Sequence, residues 1–157
     1  MSTAIIYYSK HHGNTKKLVD AIKEAHPEIK TIDVTENRVV DLNQYTRIGI
    51  ASGIYASKFA PSLMEYLKEK MPTGKKIFLL YTYAMKMGHY GKDIKSLINE
   101  KNCKLVGEYS CQGYNTFGPF KLIGGTSKGH PDENDIRNAL AFYQNICKTS
   151  ERLQDII

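Results

Sequence analysis

The chain lacks the features of a membrane protein, a secreted protein and a metal-binding module. A membrane-spanning helix needs about 20 consecutive apolar residues, and no run here approaches that length. Its three cysteines, Cys103, Cys111 and Cys147, form no Cys-x-x-Cys pair and no zinc-ligand spacing. The N-terminus has neither the basic segment nor the cleavage site of a secretion signal. We therefore expect a cytoplasmic protein with reduced thiols, no metal site and no membrane span.

The chain also lacks a concentrated basic segment of the kind that binds nucleic acid. Lysine and arginine number 22 against 16 acidic residues, a formal net charge of +6. This charge is spread along the sequence, and no motif for reading a nucleic-acid groove accompanies it. We expect no nucleic-acid function. The 157 residues suffice for one hydrophobic core, so we predict a single domain over residues 1–157.

Apolar segments with the pattern of strands alternate with segments of helical pattern. The predicted strands are Ala4–Tyr8, Ile29–Val34, Arg47–Ala51, Lys76–Tyr83 and Leu105–Cys111. The predicted helices are Asn14–Ala25, a segment from Ala60 to Met71, a segment within Tyr90–Glu100, and a final helix that begins near Pro131. This alternation predicts an α/β fold with a doubly wound parallel sheet and helices on both faces. Ligands of such sheets bind beyond the carboxyl ends of the strands.

The loop Ser9–Thr15 joins the first predicted strand to the first helix and is the best candidate site. Ser9, Asn14 and Thr15 can donate hydrogen bonds to phosphate oxygens, and Gly13 lets the backbone approach closely. The positive end of the following helix adds to this preference for an anion. The loop lacks the lysine of a P-loop, the glycines of a dinucleotide fingerprint, the cysteine and arginine of a small phosphatase, and the aspartates of a receiver domain. A plain strand–helix turn with Asn14 or Thr15 as N-cap is the alternative.

The pattern Tyr7-x-Ser9-x-x-x-Gly13-Asn14-Thr15 resembles the FMN phosphate loop of the flavodoxin superfamily. Two further strands lead to Ser52-Gly53-Ile54-Tyr55 and to Thr82-Tyr83-Ala84, where flavodoxin-like proteins hold the isoalloxazine ring. The resemblance covers essentially the whole chain. It implies FMN as the cofactor and five parallel strands in the order 2-1-3-4-5.

The resemblance also implies a role for each residue of these loops. Ser9, Gly13, Asn14 and Thr15 would bind the phosphate, and Lys10, His11 and His12 would add backbone N–H groups and charge. One side of the ring would be lined by Ser52, Gly53, Ile54 and Tyr55, and the Gly53 peptide would flip to offer its carbonyl to the reduced ring. The other side would be lined by Thr82, Tyr83, Gly88 and Tyr90. The alternatives are half-buried tyrosines and exposed histidines without a role. No catalytic residue is predicted.

Two departures from typical flavodoxins separate the candidate functions. The first loop is one residue longer, a spacing that resembles menaquinone-dependent protoporphyrinogen oxidase, although the long insertion of that enzyme is missing. The predicted rim is basic, whereas electron-carrying flavodoxins are acidic; its cations are Lys10, His11, His12, Lys16, Lys58, Lys86, His89 and Lys92. We predict electron transfer through FMN between a reductase and an acceptor protein, by a monomer or weak dimer. An oxidoreductase acting on a quinone or porphyrinogen, and a flavin-dependent interaction module, are the alternatives.

The segment from Tyr114 to Lys128 has no clear secondary-structure pattern. It combines glycines with the rings of Tyr114, Phe117, Pro119 and Phe120. Connections this long are uncommon and often functional. We expect it to pack as structural filler on the sheet edge, with a cover over the flavin or a partner surface as alternatives.

Overall fold

Strands and helices alternate along the chain as the sequence pattern predicts. The computed structural model of the protein describes residues 1–36, 39–116 and 118–154. The strands are β1 (Thr3–Tyr8), β2 (Lys30–Asp33), β3 (Arg47–Tyr55), β4 (Lys58–Phe59), β5 (Lys76–Tyr83) and β6 (Lys104–Gln112). The helices are α1 (Asn14–Ala25), α2 (Pro61–Lys70), α3 (Lys92–Glu100) and α4 (Glu133–Gln154), with short 3-10 turns at Leu42–Gln44 and Gly118–Ile123.

Five of the strands form one parallel sheet in the order β2-β1-β3-β5-β6. Counted among the parallel strands alone, this is the predicted order 2-1-3-4-5, which is confirmed. The chain moves from β1 to one side of the sheet and then crosses to β3 on the other. The carboxyl ends of β1 and β3 therefore flank the point where the strand order reverses, which is where open α/β sheets bind ligands.

The two faces of the sheet bury alternate residues of the same strands. In β1, Ala4 and Ile6 join a cluster with the apolar side chains of α2 and α3, whereas Ile5 joins one with α1 and α4. All three side chains are fully buried. Burying one such isoleucine contributes about 1.5–3 kcal/mol, so β1 packs firmly against helices on both sides. This arrangement confirms helices on both faces of the sheet.

Close packing at the centre of the sheet requires a glycine in β3. A Cβ atom at Gly49 would lie 2.3 Å from Cζ of Phe78 on the neighbouring strand β5. Phe78 is fully buried and packs against Phe142 and Tyr143 of α4. Its ring has no room to retreat, because protein interiors are packed at crystal-like density.

The structure differs from the sequence prediction in β3 and at the start of α4. Strand β3 continues four residues beyond Ala51 and turns back into β4, with Ile54 opposite Phe59 and Tyr55 opposite Lys58. Helix α3 lies within the predicted range Tyr90–Glu100 and begins at Lys92, after Gly91 in the left-handed region. The last helix begins at Glu133, so Pro131 precedes it rather than occupying its first turn.

The segment predicted to lack secondary structure is partly ordered by its own hydrogen bonds. It contains the 3-10 turn Gly118–Ile123 and an antiparallel bridge between Asn115 and Thr126. Phe117, which the sequence analysis counted among its aromatic residues, lies outside the described residues. Across the parts of the chain that the structure describes, no helix combines the length and apolar character needed to cross a membrane.

Candidate functional site

A cleft of about 540 Å³ opens at the carboxyl ends of the parallel strands. Its size lies within the range of about 300–1,000 Å³ that is usual for small-molecule sites. Residues from four segments line it: the β1–α1 loop, the β3–β4 hairpin, the end of β5 with the loop that follows, and the segment after β6. Among the described residues, its lining contains no aspartate, glutamate, lysine or arginine, and its one histidine is His11. A cleft without carboxylates can accept an anionic ligand without like-charge repulsion.

The loop between β1 and α1 presents backbone donors at one end of the cleft. His12 and Gly13 both adopt left-handed backbone angles, with φ of 53° and 65°. Ser9 Oγ accepts a hydrogen bond from the Lys16 N–H at 3.1 Å, which fixes the loop against the first turn of α1. Within the described part of the chain, the N–H groups of His12, Gly13 and Thr15 have no protein acceptor. Such N–H groups at a helix N-terminus bind anions.

Asn14 lies at the inner wall of the cleft with half of its amide unpaired. Its Nδ2 donates to the carbonyl of Tyr114 at 2.7 Å, whereas its Oδ1 is buried and has no hydrogen-bond partner. The side chain is held tightly, because a Cβ at Gly113 would lie only 2.7 Å from its Nδ2. An unpaired buried acceptor costs about 1–3 kcal/mol. A ligand group that donates a hydrogen bond to Oδ1 would recover that cost.

Two buried threonine hydroxyls connect the first loop to the end of β5. Thr15 Oγ1 and Thr82 Oγ1 lie 3.0 Å apart, and either atom can be the donor. Whichever hydroxyl accepts this bond keeps its own proton. Since both residues line the cleft, that proton can be donated to a ligand.

Tyr55 covers the cleft from the β3–β4 hairpin. Its ring folds back over Gly53, and it contacts the rings of Tyr8 and His11 at centroid distances of 6.0 and 5.7 Å. Burial, and to a smaller extent the nearby Tyr8, raise the pKa of Tyr55 to about 12, although a hydrogen bond from the Lys10 backbone opposes this shift. Tyr55 is therefore a neutral phenol at physiological pH, and its ring supplies a flat, half-buried wall.

A second pair of tyrosines lines the cleft from the end of β5 and the loop that follows it. The rings of Tyr83 and Tyr90 stack at 5.8 Å with an interplanar angle of 27°. The Tyr90 hydroxyl donates to the carbonyl of Met85, which holds the β5–α3 loop in place. Burial raises the pKa of Tyr83, so this phenol also remains neutral. The two aromatic walls make this end of the cleft suitable for a planar ligand.

The segment after β6 forms the fourth side of the cleft. Gly113, Tyr114, Asn115 and Phe120 line it. His12 ties this segment to the first loop, because its Nε2 lies 2.9 Å from Thr116 Oγ1 and its ring lies 4.3 Å from that of Tyr114. Structural packing on the sheet edge was the preferred expectation for the segment Tyr114–Lys128, and the structure adds that its residues Tyr114, Asn115 and Phe120 border the cleft. The one signal in the sequence was the mixture of aromatic residues and glycines directly after the carboxyl end of a strand.

The structure brings most of the predicted site residues to the cleft. Those that line it are Ser9, His11, Asn14, Thr15, Gly53, Ile54, Tyr55, Thr82, Tyr83 and Tyr90. Lys10, His12, Gly13, Ser52 and Gly88 are absent from the lining, although Gly13 and His12 shape the first loop. Residues that sequence reasoning left without a role include Ala56, Ser57, Met85 and Met87.

Ser52 acts on the backbone rather than on the cleft. Its side chain is fully buried, donates to the Gly53 carbonyl at 2.6 Å and accepts from the Ala60 N–H at 3.0 Å. These bonds tie the end of β3 to the start of α2. A flip of the Gly53 peptide, which the family resemblance implies, would break the first of them.

Comparisons with known proteins agree with this architecture. The sequence model of the Flavodoxin domain family matches residues 5–106. An uncharacterised protein of Methanocaldococcus jannaschii is 35% identical over 151 residues, which cover 94% of this chain and 99% of that protein. A flavodoxin from the domain Archaea superimposes with a TM-score of 0.68 at 16% identity, covering 95% of this chain and 99% of the other. Fusobacterium nucleatum flavodoxin bound to flavin mononucleotide gives a TM-score of 0.63 at 16% identity, with 95% and 99% covered. At such identities the structural matches show a shared fold.

Proposed function

The chain belongs to the flavodoxin domain family, and on that premise we propose that it binds FMN in the cleft and transfers electrons through it. When bound, FMN supplies the redox chemistry. The residues of the protein supply binding, orientation and electrostatics. The observation that carries the proposal is that one cleft combines three features: unpaired N–H groups at a helix N-terminus, an unpaired buried amide oxygen, and neutral aromatic rings. The phosphate, the ribityl chain and the ring of FMN require these three kinds of surface.

The phosphate of FMN fits the end of the cleft formed by the first loop. The unpaired N–H groups of His12, Gly13 and Thr15 lie there, at the N-terminus of α1. His11 lines the same region. Two charge-assisted hydrogen bonds of this kind together contribute about 3 kcal/mol, enough to hold a terminal phosphate without a metal ion.

The ribityl chain of FMN suits the middle of the cleft. Asn14 Oδ1 is an acceptor, so a phosphate oxygen cannot satisfy it, but a ribityl hydroxyl can. The Thr15–Thr82 pair offers the complementary proton for a hydroxyl oxygen. The unpaired amide oxygen therefore favours a ligand that carries hydroxyl groups next to its phosphate.

The flavin ring suits the aromatic end of the cleft. Tyr55 on one side and Tyr83 on the other present neutral, flat surfaces that exclude water from the ring. Each well-placed aromatic contact adds about 0.5–1.5 kcal/mol beyond the area that it buries. Ile54, Met85 and Met87 extend this apolar lining.

Titration of the purified protein with FMN and with riboflavin tests the binding proposal, with the quenching of flavin fluorescence as the readout. Riboflavin lacks the phosphate, so it should bind about 100-fold more weakly, the equivalent of about 3 kcal/mol. Equal affinity for the two flavins, or no binding of FMN, would refute the proposed site.

Stepwise anaerobic reduction of the FMN-loaded protein tests the electron-transfer proposal. Visible spectra that show two separate one-electron steps support an electron carrier. A single two-electron step, together with rapid turnover of a quinone in the absence of a protein partner, would instead identify an oxidoreductase.

A further inference from the structure

We propose that the surface beside the aromatic end of the cleft docks an acidic electron-carrier protein. This lysine–methionine surface consists of Met85, Lys86, Met87, His89, Lys92 and Lys95. The inference rests on the proposed function, because a docking surface for electron transfer requires a redox group next to it.

A groove of about 260 Å³ places this surface in direct contact with the cleft. Tyr83, Met87 and Tyr90 line both cavities, so one layer of side chains separates them. A partner side chain seated in the groove would lie on the far side of the Tyr83–Tyr90 pair from a ligand in the cleft. Electron transfer needs such short separations between donor and acceptor.

The groove is positively charged. Lys86, Lys92 and Lys95 line it, and Glu108 is its one carboxylate among the described residues. Glu108 is already engaged with Lys95, at 2.7 Å between Oε2 and Nζ. Within the described chain, neither Lys86 nor Lys92 has a carboxylate partner. Both are exposed, so both are available to carboxylates of another protein.

Two methionines give the surface an apolar centre among these charges. Met85 is 53% exposed and Met87 is 58% exposed, unusually high values for large apolar side chains. Methionine is flexible and polarisable, and it is enriched at protein interfaces. A few apolar side chains surrounded by charges of one sign are the pattern of a transient docking surface.

The charge pattern disfavours a second copy of this chain as the occupant. A two-fold contact through this surface would bring Lys86 and Lys92 against the same residues of the other copy. Like charges in such a contact are repulsive. The net charge of +6 also steers an acidic protein towards the surface and a basic one away.

The test compares two double variants with equal changes in net charge. Lys86→Glu/Lys92→Glu alters the lysine–methionine surface, whereas Lys30→Glu/Lys104→Glu alters exposed lysines at the amino ends of β2 and β6, at the opposite end of the sheet. The probe is poly-L-glutamate of about 20 residues, added at about 20 mM salt, where screening is weak. Amide chemical shifts of the protein report the binding site and the affinity, with poly-L-lysine as the control of opposite charge.

We expect shifts centred on residues 85–95 and on Glu108. Affinity should fall about tenfold or more in Lys86→Glu/Lys92→Glu and less than threefold in the control, because a local charge pair acts more strongly than net charge. Equal losses in the two variants, or shifts spread evenly over the surface, would overturn the proposal. A dimer in sedimentation that Lys86→Glu/Lys92→Glu abolishes would overturn it too, since it would make a second copy the occupant.

Electron transfer provides the second measurement. The rate at which the reduced, FMN-loaded protein reduces the anion ferricyanide should fall about tenfold in Lys86→Glu/Lys92→Glu, and the rate with the cation hexaamminecobalt(III) should rise. Unchanged rates with both probes would overturn the proposal. FMN titration of the same samples separates the two hypotheses: normal FMN binding without site selectivity refutes the docking surface alone, whereas absent FMN binding refutes the proposed function.

Discussion

Replacing Asn14 by alanine should affect the stability of the FMN-free protein and the affinity for FMN differently. Asn14 holds the Tyr114 carbonyl through Nδ2 and leaves Oδ1 buried and unpaired. The substitution removes a favourable bond and an unfavourable group together. If the amide is retained for a ligand, the two effects should diverge between the free and the FMN-bound protein.

The magnitudes follow from the two halves of the amide. Loss of the bond to Tyr114 costs the free protein about 0.5–1.5 kcal/mol, whereas removal of the unpaired oxygen returns about 1–3 kcal/mol. The free energy of unfolding of the apoprotein should therefore stay unchanged or rise by about 1–2 kcal/mol. The Tyr114 bond is lost in both the free and the FMN-bound variant, so it cancels in the binding free energy. Only the wild type gains a partner for Oδ1 on binding FMN, so the variant loses about 1–2 kcal/mol of binding free energy, which corresponds to about 5–30-fold weaker binding.

Urea unfolding of the apoprotein and fluorescence titration with FMN measure the two effects. The matched control is Ser150→Ala, which removes another buried polar side chain, in α4, without touching the cleft. The control should leave FMN affinity unchanged. If Asn14→Ala destabilises the apoprotein by more than about 1 kcal/mol and leaves FMN affinity intact, Asn14 is an ordinary structural residue and the reasoning fails.

Three further perturbations test other parts of the structure. Gly49→Ala should lower the free energy of unfolding by about 1–3 kcal/mol in urea denaturation, because its Cβ would meet a phenyl ring at 2.3 Å. Ala56→Asn/Ser57→Gly should raise the melting temperature, because both native residues have positive φ and Asn-Gly is the preferred pair in such a turn. The third perturbation concerns the Tyr55 phenol, whose pKa is about 12 in the folded protein and 10.0 in the unfolded chain. The folded state therefore binds the proton more tightly, and the free energy of unfolding falls as pH rises between these two values. Tyr55→Phe should flatten that loss, measured by urea unfolding on either side of this window.

Each of these three has its own contradicting outcome. A urea midpoint for Gly49→Ala equal to that of the wild type would show that the Phe78 ring can move to accommodate a Cβ atom. An unchanged or lower melting temperature for Ala56→Asn/Ser57→Gly would show that the hairpin turn stores no strain. An identical pH profile for Tyr55→Phe would show that the phenol does not titrate with folding.

The sheet was predictable because a short run of apolar residues marks each strand in the sequence. The run Ile77-Phe78-Leu79-Leu80 is apolar on both faces, which is typical of a central parallel strand. The β3–β4 hairpin was not predictable in the same way. Its turn places Ala56 and Ser57 at positive φ, where sequence rules expect glycine or asparagine, so the usual turn signal is missing.

The candidate site was likewise predictable only where it depends on local sequence. The first loop could be predicted because a strand, a glycine and a helix start follow one another within a few residues. The fourth wall could not, because it depends on the contact between Asn14 and Tyr114, which lie 100 positions apart. No local sequence pattern predicts that contact. Ser52 shows the opposite case, since its position suggested a ligand contact and its hydroxyl is instead used by the backbone.

The fourth wall has a consequence for the integrity of the cleft. Gly113, Tyr114 and Phe120 close it, and the Asn14 amide holds the Tyr114 carbonyl across 100 positions of sequence. One wall of the cleft therefore depends on a contact between distant parts of the chain. A change that loosens the segment after β6 should also open the cleft beside the first loop.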